Sequence, residues 1–267
     1  MNAMNEEKLA YLLGAIYGDG CFTKGSISFG VADKEFIDEI INIIKNLFGL
    51  EINIGLKKLS DKNPKWRDFY QFHSRRLFKF ISRFDLKKLK TIPDFILRGD
   101  NNTKASFIKG FFDAEGNVDV RVIKRKDGRT DTMRHVKCFS NDTKLLQQIK
   151  QLLSQLQIKS EIFRGKKENY YVCIWNYRSL KKFNDLIGFV INRKKEVLVQ
   201  AINSYKQIQT QWNFNTYKTV MDIRDKEKFG AKRIKQKLLG TGINVPQPTI
   251  EAWIYGRSKI SENKMEV

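Results

Sequence analysis

Two acidic residues occupy matching places in two similar segments of the chain. Residues 11–22 read YLLGAIYGDGCF and residues 107–118 read FIKGFFDAEGNV, and a gapless alignment sets Asp19 against Glu115. In both segments an apolar run predicts a helix that ends in the acid and is followed by a glycine suited to a left-handed helix cap. Two carboxylates at neighbouring helix ends repel each other and face the negative ends of two helix dipoles. Either one carboxyl must hold a proton, or a divalent cation must lie between them.

The residue types around these acids favour a hard metal ion. Carboxylate and carbonyl oxygens suit Mg²⁺ or Mn²⁺, and the predicted metal ligands are Asp19, Glu115, Gly18 and Ala114. The chain has two His and three Cys, and the cysteines lie too far apart in sequence to form a zinc-type pair. Catalysis would therefore depend on the two acids and on a metal that polarises a phosphate and activates water. The alternative is a pair of ordinary, solvated helix caps.

Small residues predict how the two helices meet. Gly14 and Gly18 lie four positions apart on one face of the first helix, and Gly110 and Ala114 occupy the corresponding face of the second. Small side chains on matching faces allow two helix backbones to approach closely. We therefore expect these four residues to form a helix interface that brings the two acids together at one end.

The similarity between the halves continues beyond these helices. DKEFIDEIINIIKNL, from Asp33, aligns with DTKLLQQIKQLLSQL, from Asp142, and QFHSRRLFKF, from Gln71, aligns with IWNYRSLKKF, from Ile174. Three matches in the same order indicate a duplication. Each half reads as α-β-β-α-β-β-α, and the two aspartates are expected to cap the middle helices. The predicted fold is α+β, with pseudo-symmetric units at 7–100 and 104–212 and a small helical domain at 213–267.

Charge restricts the partners that the protein can have. Fifty Lys and Arg against 29 Asp and Glu give a formal charge of +21, which favours binding to a polyanion. No segment approaches the roughly 18–20 apolar residues that span a bilayer, and the N-terminal MNAMNEEKLA has acids where a signal peptide has basic residues. We expect a cytoplasmic monomer.

The C-terminal residues have a different pattern. Ala231, Ile234 and Leu238 predict one helix, a glycine-rich turn follows, and a second short helix is expected from about Gln247 to Tyr255. Such a pair resembles a helix-turn-helix, whose second helix can enter a major groove. The alternative is a helical pair that packs on the main body. Residues 213–219 are interpreted as the linker.

Both motif segments resemble the signature of the LAGLIDADG homing endonucleases, in the monomeric form with two motifs per chain. Residues 12–20 (LLGAIYGDG) and 108–116 (IKGFFDAEG) match the nine-letter signature in type, and the resemblance extends from residue 7 to about 205. It implies that the two sheets form a saddle over the DNA major groove. It also implies that the paired acids hold metals that hydrolyse both strands across the minor groove, leaving short 3′ overhangs.

Two long basic hairpins are predicted, one that includes residues 55–68 and one that includes residues 121–137. They would supply phosphate and base-edge contacts to double-stranded DNA with a long target site. The candidate DNA contacts are Lys24, Lys57, Lys58, Lys62, Lys65, Arg67, Arg75, Arg121, Lys124, Arg125, Lys126, Arg129, Arg134, Lys137, Arg164, Lys166, Lys167, Arg178, Lys232 and Arg233.

One departure from the family pattern concerns a basic or amide residue that usually ends the second strand of each half. The aligned positions hold Val31 and Ala32 in the first half and Ser140 and Asn141 in the second. Lys24, Lys34 or Lys137 could reach the site instead. A site-specific double-strand DNA endonuclease remains the leading hypothesis, and the sequence leaves open whether it is intron-encoded or free-standing. The alternatives are an RNA-splicing maturase that binds intron RNA and a DNA-binding relative that does not cleave.

Overall fold

The structure is a computed structural model that describes residues 3–23, 25–49, 54–57, 68–84, 91–124, 130–165, 169–205, 212 and 214–255. The chain divides into two compact units, Met1–Tyr205 and Lys206–Val267. The fold is mixed α+β, as predicted, with both sheets in the first unit and helices alone described in the second. None of the described helices is long and apolar enough to cross a membrane.

The two halves of the first unit follow the same element order. The first half contains α1 (Ala3–Asp19), β1 (Gly20–Thr23), β2 (Ser26–Val31), α2 (Lys34–Phe48), β3 (Ile54–Lys57), β4 (Asp68–His73), α3 (Arg75–Ile81) and α4 (Asp94–Leu97). The second half contains α5 (Asn101–Glu115), β5 (Gly116–Lys124), β6 (Thr130–Ser140), α6 (Thr143–Gln155), β7 (Glu161–Arg164), β8 (Tyr170–Ile174), α7 (Tyr177–Leu186) and α8 (Asn192–Asn203).

The two sheets have the same antiparallel topology, β1-β2-β4-β3 and β5-β6-β8-β7. Residues 109 positions apart are equivalent in β2 and β6, because Phe29 pairs with Gly20 where Cys138 pairs with the aligned Gly116. Phe29 and Cys138 pair in turn with Tyr70 and Val172, which are therefore equivalent as well. The same pairs show that the predicted alignment of QFHSRRLFKF with IWNYRSLKKF is displaced by one residue. Gln71 corresponds to Cys173 rather than to Ile174, since strand register is set by which face is buried and not by local sequence similarity.

Each middle helix buries one apolar stripe. In α2 the buried residues are Phe36, Ile37, Ile40, Ile43 and Ile44, and in α6 they are the aligned Leu145, Leu146, Ile149, Leu152 and Leu153. This i, i+3, i+4 pattern is that of an amphipathic helix packed on a sheet.

The capping aspartates of α2 and α6 differ, although they are equivalent in sequence. Asp142 accepts hydrogen bonds from the amides of Lys144 and Leu145 and so caps α6. Asp33 makes no side-chain cap. The capping prediction is therefore correct for Asp142 and wrong for Asp33, whose carboxylate is held by a side chain of α8.

The second unit has its own core. Its helices are α9 (Phe214–Glu227), α10 (Ala231–Gly240) and α11 (Gln247–Ile254). Ile234, Ile250 and Trp253 are buried there. The linker prediction for residues 213–219 is wrong from Phe214 onward, because the aromatic rings of Phe214 and Tyr217 pack on this core and turn the segment into the first turns of α9.

Candidate functional site

Two glycines allow the backbones of α1 and α5 to touch. A Cβ atom placed on Gly14 would lie 2.1 Å from the carbonyl oxygen of Phe107, and one placed on Gly110 would lie 2.1 Å from that of Tyr11. Tyr11 and Phe107 are equivalent residues 96 positions apart. The two contacts are thus related by a pseudo-two-fold axis between the helices, as in an isologous interface.

Closer to the acids, the small residues face each other directly. A Cβ on Gly18 would lie 2.4 Å from the Cβ of Ala114 and 3.2 Å from the Cγ of Glu115. The four residues of the predicted interface therefore all lie at or beside this crossing. The crossing brings the helix end that carries Asp19 against the helix end that carries Glu115.

The glycines that follow the acids do not form left-handed caps. Gly116 has φ −82° and ψ 148°, and Gly20 is not among the glycines with positive φ. Each begins a strand directly, and a Cβ would lie 2.6 Å from the carbonyl oxygen of Ile16 at Gly20 and 2.2 Å from that of Phe112 at Gly116. Close contact with the preceding helical turn, rather than backbone handedness, explains why glycine is required.

Two cavities lie at this end of the helix pair. The first, here called the α8 cavity, has a volume of ≈ 250 Å³, and its walls include Asp19, Val31, Ala32, Ala114, Glu115, Arg193 and Lys194. The second, here called the amide cavity, has a volume of ≈ 240 Å³ and is lined by Tyr17, Gly18, Phe111, Glu115, Phe139, Ser140, Asn141 and Asn169. The equivalent positions in α1 and α5, and in β2 and β6, relate the two cavities by the same pseudo-symmetry. Asp19 in the first corresponds to Glu115 in the second.

These cavities offer a hard cation an oxygen-rich but incomplete ligand set. Within the described residues no cluster of three His, Cys, Asp or Glu side chains could hold a metal. Two carboxylates and the carbonyl groups at the helix ends would leave several positions for water or phosphate. This fits Mg²⁺, which commonly retains water and binds through one or two carboxylates together with a phosphate. Asp19, Glu115 and the backbone of Gly18 and Ala114 are the residues that would hold it.

Basic residues from α8 line the α8 cavity, and the sequence did not indicate them. Lys194 is only 5% exposed, and its Nζ donates to the carbonyl oxygens of Asp113 (2.6 Å) and Phe112 (3.1 Å) in the last turns of α5. Burial lowers the pKa of the Lys194 amine to about 8, although the negative charge of Asp113 opposes that shift. In sequence Lys194 belongs to the run NRKKE, which reads as an ordinary solvated helix face.

Arg193 joins α8 to the first half of the unit. Its Nε and Nη2 donate to the two carboxylate oxygens of Asp33, both at 2.7 Å, and the neighbouring Asn192 donates to Glu35 at 3.0 Å. A bidentate Arg–carboxylate pair fixes orientation as well as distance. The pair explains why Asp33 does not cap α2.

Asp113 is a second buried charge that the sequence did not reveal. Its carboxylate accepts hydrogen bonds from the Tyr11 hydroxyl (3.0 Å) and from the backbone amide of Val190 (3.0 Å). Burial raises the pKa of Asp113 to about 6 despite these bonds and the nearby Lys194. Asp113 thus ties α1, α5 and the segment before α8 together two residues from Glu115.

The three lysines considered as replacements for the missing strand-end residue do not line either cavity where they are described. Lys34 pairs with Asp38 at 2.5 Å and is exposed, and Lys137 lies over the Tyr171 ring at 5.3 Å. Lys24 lies outside the described residues. The cation near Asp19 comes from α8 instead.

The candidate DNA contacts fall into three groups. Arg75, Lys124, Arg164, Arg178, Lys232 and Arg233 are exposed, as is Arg121, which pairs with Asp119. Arg134 is instead engaged inside the protein, because it donates to the Ser204 hydroxyl and carbonyl and stacks on Tyr205 at 4.2 Å. Lys137 is likewise half-buried and lies over the Tyr171 ring. The remaining candidates lie outside the residues whose side chains are described: Lys24, Lys57, Lys58, Lys62, Lys65, Arg67, Arg125, Lys126, Arg129, Lys166 and Lys167.

The open face of the second sheet is aromatic, which was not predicted. Phe139, Tyr171 and Phe163 form one row across the strands, with ring centroids 5.3 Å and 5.6 Å apart, and Trp175 lies 5.9 Å from Phe163. By strand register the corresponding places in the first sheet hold Gly30 for Phe139, Phe69 for Tyr171, Lys57 for Phe163 and His73 for Trp175. The duplicated sheets therefore present different surfaces.

Comparison with known sequences finds a family match within the second half. Residues 102–188 match the family described as LAGLIDADG-like domain. The chain is 23% identical over 222 residues to the DNA-directed RNA polymerase subunit Rpo1C of Methanocaldococcus jannaschii, covering 81% of this chain and 23% of that protein. It is 25% identical over 219 residues to an uncharacterized protein of the same organism, covering 74% of this chain and 72% of that protein. It is 27% identical over 216 residues to that organism's glutamine–fructose-6-phosphate aminotransferase, covering 77% and 18%. The chain thus spans about a fifth of two of these three relatives.

Solved structures share the fold. The full-length DUF199/WhiA protein from Thermatoga maritima superposes with a TM-score of 0.54 at 14% identity, covering 96% of this chain and 91% of that one. I-DmoI in complex with DNA and Ca superposes with a TM-score of 0.50 at 18% identity, covering 73% and 98%. Residues 102–188 thus match the LAGLIDADG-like domain family, and the chain shares its fold with I-DmoI and with WhiA.

Proposed function

We propose that the protein is a metal-dependent, site-specific endonuclease that cuts both strands of double-stranded DNA. The observation that carries this proposal is the crossing of α1 and α5, which sets Asp19 and Glu115 at the shared end of two tightly packed helices and into one cavity. Paired acids with this geometry, and no group of three possible metal-binding side chains in the described part of the chain, suit a cation that also binds a phosphate oxygen.

Two further observations support DNA as the substrate. The charge of +21 favours a polyanion, and the fold is shared with I-DmoI, which was crystallised with DNA and Ca. The names of the sequence relatives state different activities, and each activity is that of the relative itself.

The roles of the residues follow from their positions. Asp19 and Glu115 would hold Mg²⁺ or Mn²⁺, which when bound would polarise the scissile phosphate and lower the pKa of a coordinated water. The open faces of the two sheets would contact base edges, because an antiparallel sheet with one covered face presents its other face to a partner. The helices α10 and α11 would add a second, helix-turn-helix-like contact through exposed residues such as Lys232 and Arg233.

The test is cleavage of a plasmid library that contains randomised sites. We expect the protein with Mg²⁺ to linearise some members, and we expect Asp19→Asn or Glu115→Gln to reduce the rate by about a hundredfold or more, since each removes one carboxylate charge from the metal site. Asp185→Asn and Glu196→Gln are matched controls, because they make the same chemical changes at exposed positions outside both cavities. Full activity of Asp19→Asn would exclude the proposed site.

A second candidate function is site-specific DNA binding without cleavage. The observation that favours it is the absence of a basic residue at Val31, Ala32, Ser140 and Asn141, where the resemblance leads one to expect Lys or Gln. Tight binding of selected duplexes without cutting in Mg²⁺, Mn²⁺ or Ca²⁺ would support this candidate over the endonuclease. Protein-dependent splicing of an intron RNA would instead favour the maturase alternative.

A further inference from the structure

The two cavities are equivalent by pseudo-symmetry but not in charge. Val31 and Ala32 in the α8 cavity correspond to Ser140 and Asn141 in the amide cavity, and Asp113 and Ala114 correspond to Tyr17 and Gly18. The α8 cavity additionally receives Arg193 and Lys194, whereas no basic residue lines the amide cavity among the residues that the structure describes. There the polar groups beyond Glu115 are neutral amides and hydroxyls.

The source of this difference is α8. It follows α7 in the second half, and in the described part of the first half the segment after α3 contains only a short 3-10 turn and the four-residue α4 before α5 begins. These described elements, SRF and DFIL, contain no lysine that could be the counterpart of Lys194.

Lys194 acts on the end of the helix that carries Glu115. Its ammonium donates to the carbonyl oxygens of Phe112 and Asp113, where the helix dipole is negative, and a cation at that end is stabilising. The residue is nearly fully buried, so its charge is weakly screened. Asp19, Asp33, Asp113 and Glu115 all line this cavity, and the charge of Arg193 is already matched by Asp33. Among the described lining residues this leaves Lys194 as the cation that compensates the other three acids.

We propose that Lys194 is a positioning residue for the α8 cavity alone, so that the protein cuts the two strands of its DNA target at unequal rates. The proposal rests on the endonuclease function argued above. In this proposal each cavity serves one DNA strand. The strand at the α8 cavity would be cut faster, because the fixed cation of Lys194 reduces repulsion between the carboxylates and the approaching phosphate.

The first test measures the two strands separately on a duplex recovered from the library, labelled on one strand at a time. We expect a faster and a slower strand, with Lys194→Met reducing the faster rate about tenfold, Lys194→Arg retaining most of it, and the slower rate changing less than twofold. Lys195→Met, an exposed neighbour on α8, is the control. Equal rates on both strands in the unmodified protein, or equal slowing of both by Lys194→Met, would overturn the proposal while leaving the endonuclease function intact.

The second test adds a cation to the amide cavity. Asn141 is exposed, so Asn141→Lys is expected to fold, to accelerate the slower strand severalfold and to reduce the strand bias. Acceleration of both strands alike would contradict the assignment.

A third measurement does not depend on cleavage. Titration of the protein with Mn²⁺, followed by the electron paramagnetic resonance signal of the free ion, should reveal two unequal affinities. Lys194→Met should tighten the weaker one severalfold, because a nearby positive charge is lost. A structural disruption would weaken binding instead. Two identical affinities in the unmodified protein would refute the proposal even if no DNA target is cut, whereas unequal affinities without cutting would count against the proposed function alone.

Discussion

Exchanging the two small residues that meet beside the acids tests the helix crossing directly. In Gly18→Ala the new Cβ would lie 2.4 Å from the Cβ of Ala114, far inside the roughly 3.5–4.0 Å of a favourable carbon–carbon contact. Overpacking of this kind costs about 1–3 kcal/mol, and the better helix propensity of alanine returns up to about 1 kcal/mol. We expect a net loss of about 1–2 kcal/mol in the free energy of unfolding.

Ala114→Gly should also destabilise the protein, through a different cause. It removes one partly buried methyl group and lowers helix propensity, for a combined loss of about 1–2 kcal/mol. In the double variant the steric conflict is absent and the two propensity changes cancel. We therefore expect Gly18→Ala with Ala114→Gly to recover most of the stability of the unmodified protein, which gives a coupling energy of at least about 1 kcal/mol in a double-mutant cycle.

Gly14→Ala provides the contrast. Its Cβ would meet the backbone oxygen of Phe107 at 2.1 Å and not a side chain, so no exchange of side chains can relieve the conflict. We expect it to destabilise the protein more than Gly18→Ala and not to be rescued by Ala114→Gly. Urea unfolding followed by far-UV circular dichroism gives the midpoint and slope needed for each variant. If Gly18→Ala matches the unmodified protein, or if the losses in the double variant simply add, the described crossing is incorrect.

Three other predictions follow from described contacts. Asp142→Ala should lower the free energy of unfolding by about 1 kcal/mol through loss of the α6 cap. Asp33→Ala and Arg193→Ala should each cost up to about 1 kcal/mol, because both break one ion pair whose Arg193 side is exposed. The two losses should not add in the double variant, and additive losses in urea unfolding would contradict this. Cys21 is exposed, whereas Cys138 and Cys173 are buried. Burial raises the pKa of Cys173 to about 11 and that of Cys138 well above its ordinary value. Mass spectrometry after brief alkylation of the folded protein should therefore find modification at Cys21 and not at the other two, and rapid labelling of Cys138 would be inconsistent with the described core. Trp253→Ala should cost the second unit about 3–5 kcal/mol in free energy of unfolding. We expect it to unfold that unit while the sheets of the first unit persist, which proteolysis or hydrogen exchange would detect. Loss of protection in both units together would refute the expectation that each unit is stabilised by its own core.

Much of the fold could be predicted from local patterns. The periodicity of apolar residues predicts α2 and α6 because a helix packed on a sheet must bury one stripe, and the repeated segments predict two copies of one topology because similar sequences bury similar faces. Gly14 and Gly110 indicated close helix packing, because small residues at matching places allow two helix backbones to approach closely.

The errors arose where contacts distant in sequence decide the outcome. The third matching block was displaced by one residue because strand register depends on the partner strand, and Asp33 was assigned to a cap because its partner Arg193 lies 160 residues away. The glycines after the acids were assigned to left-handed caps because the sequence alone did not show that a strand begins at once beside the helix turn.

The sequence by itself determined the pair of acids, the duplication and the excess of positive charge, since each is a matter of residue type and order. Only the tertiary structure decided that the two cavities differ. Lys194 is placed beside the end of α5 by the packing of α8, and no periodicity distinguishes a buried lysine from its solvated neighbours in a charged run. Chemical equivalence in a duplicated chain is therefore set by what packs against each copy and not by the copies themselves.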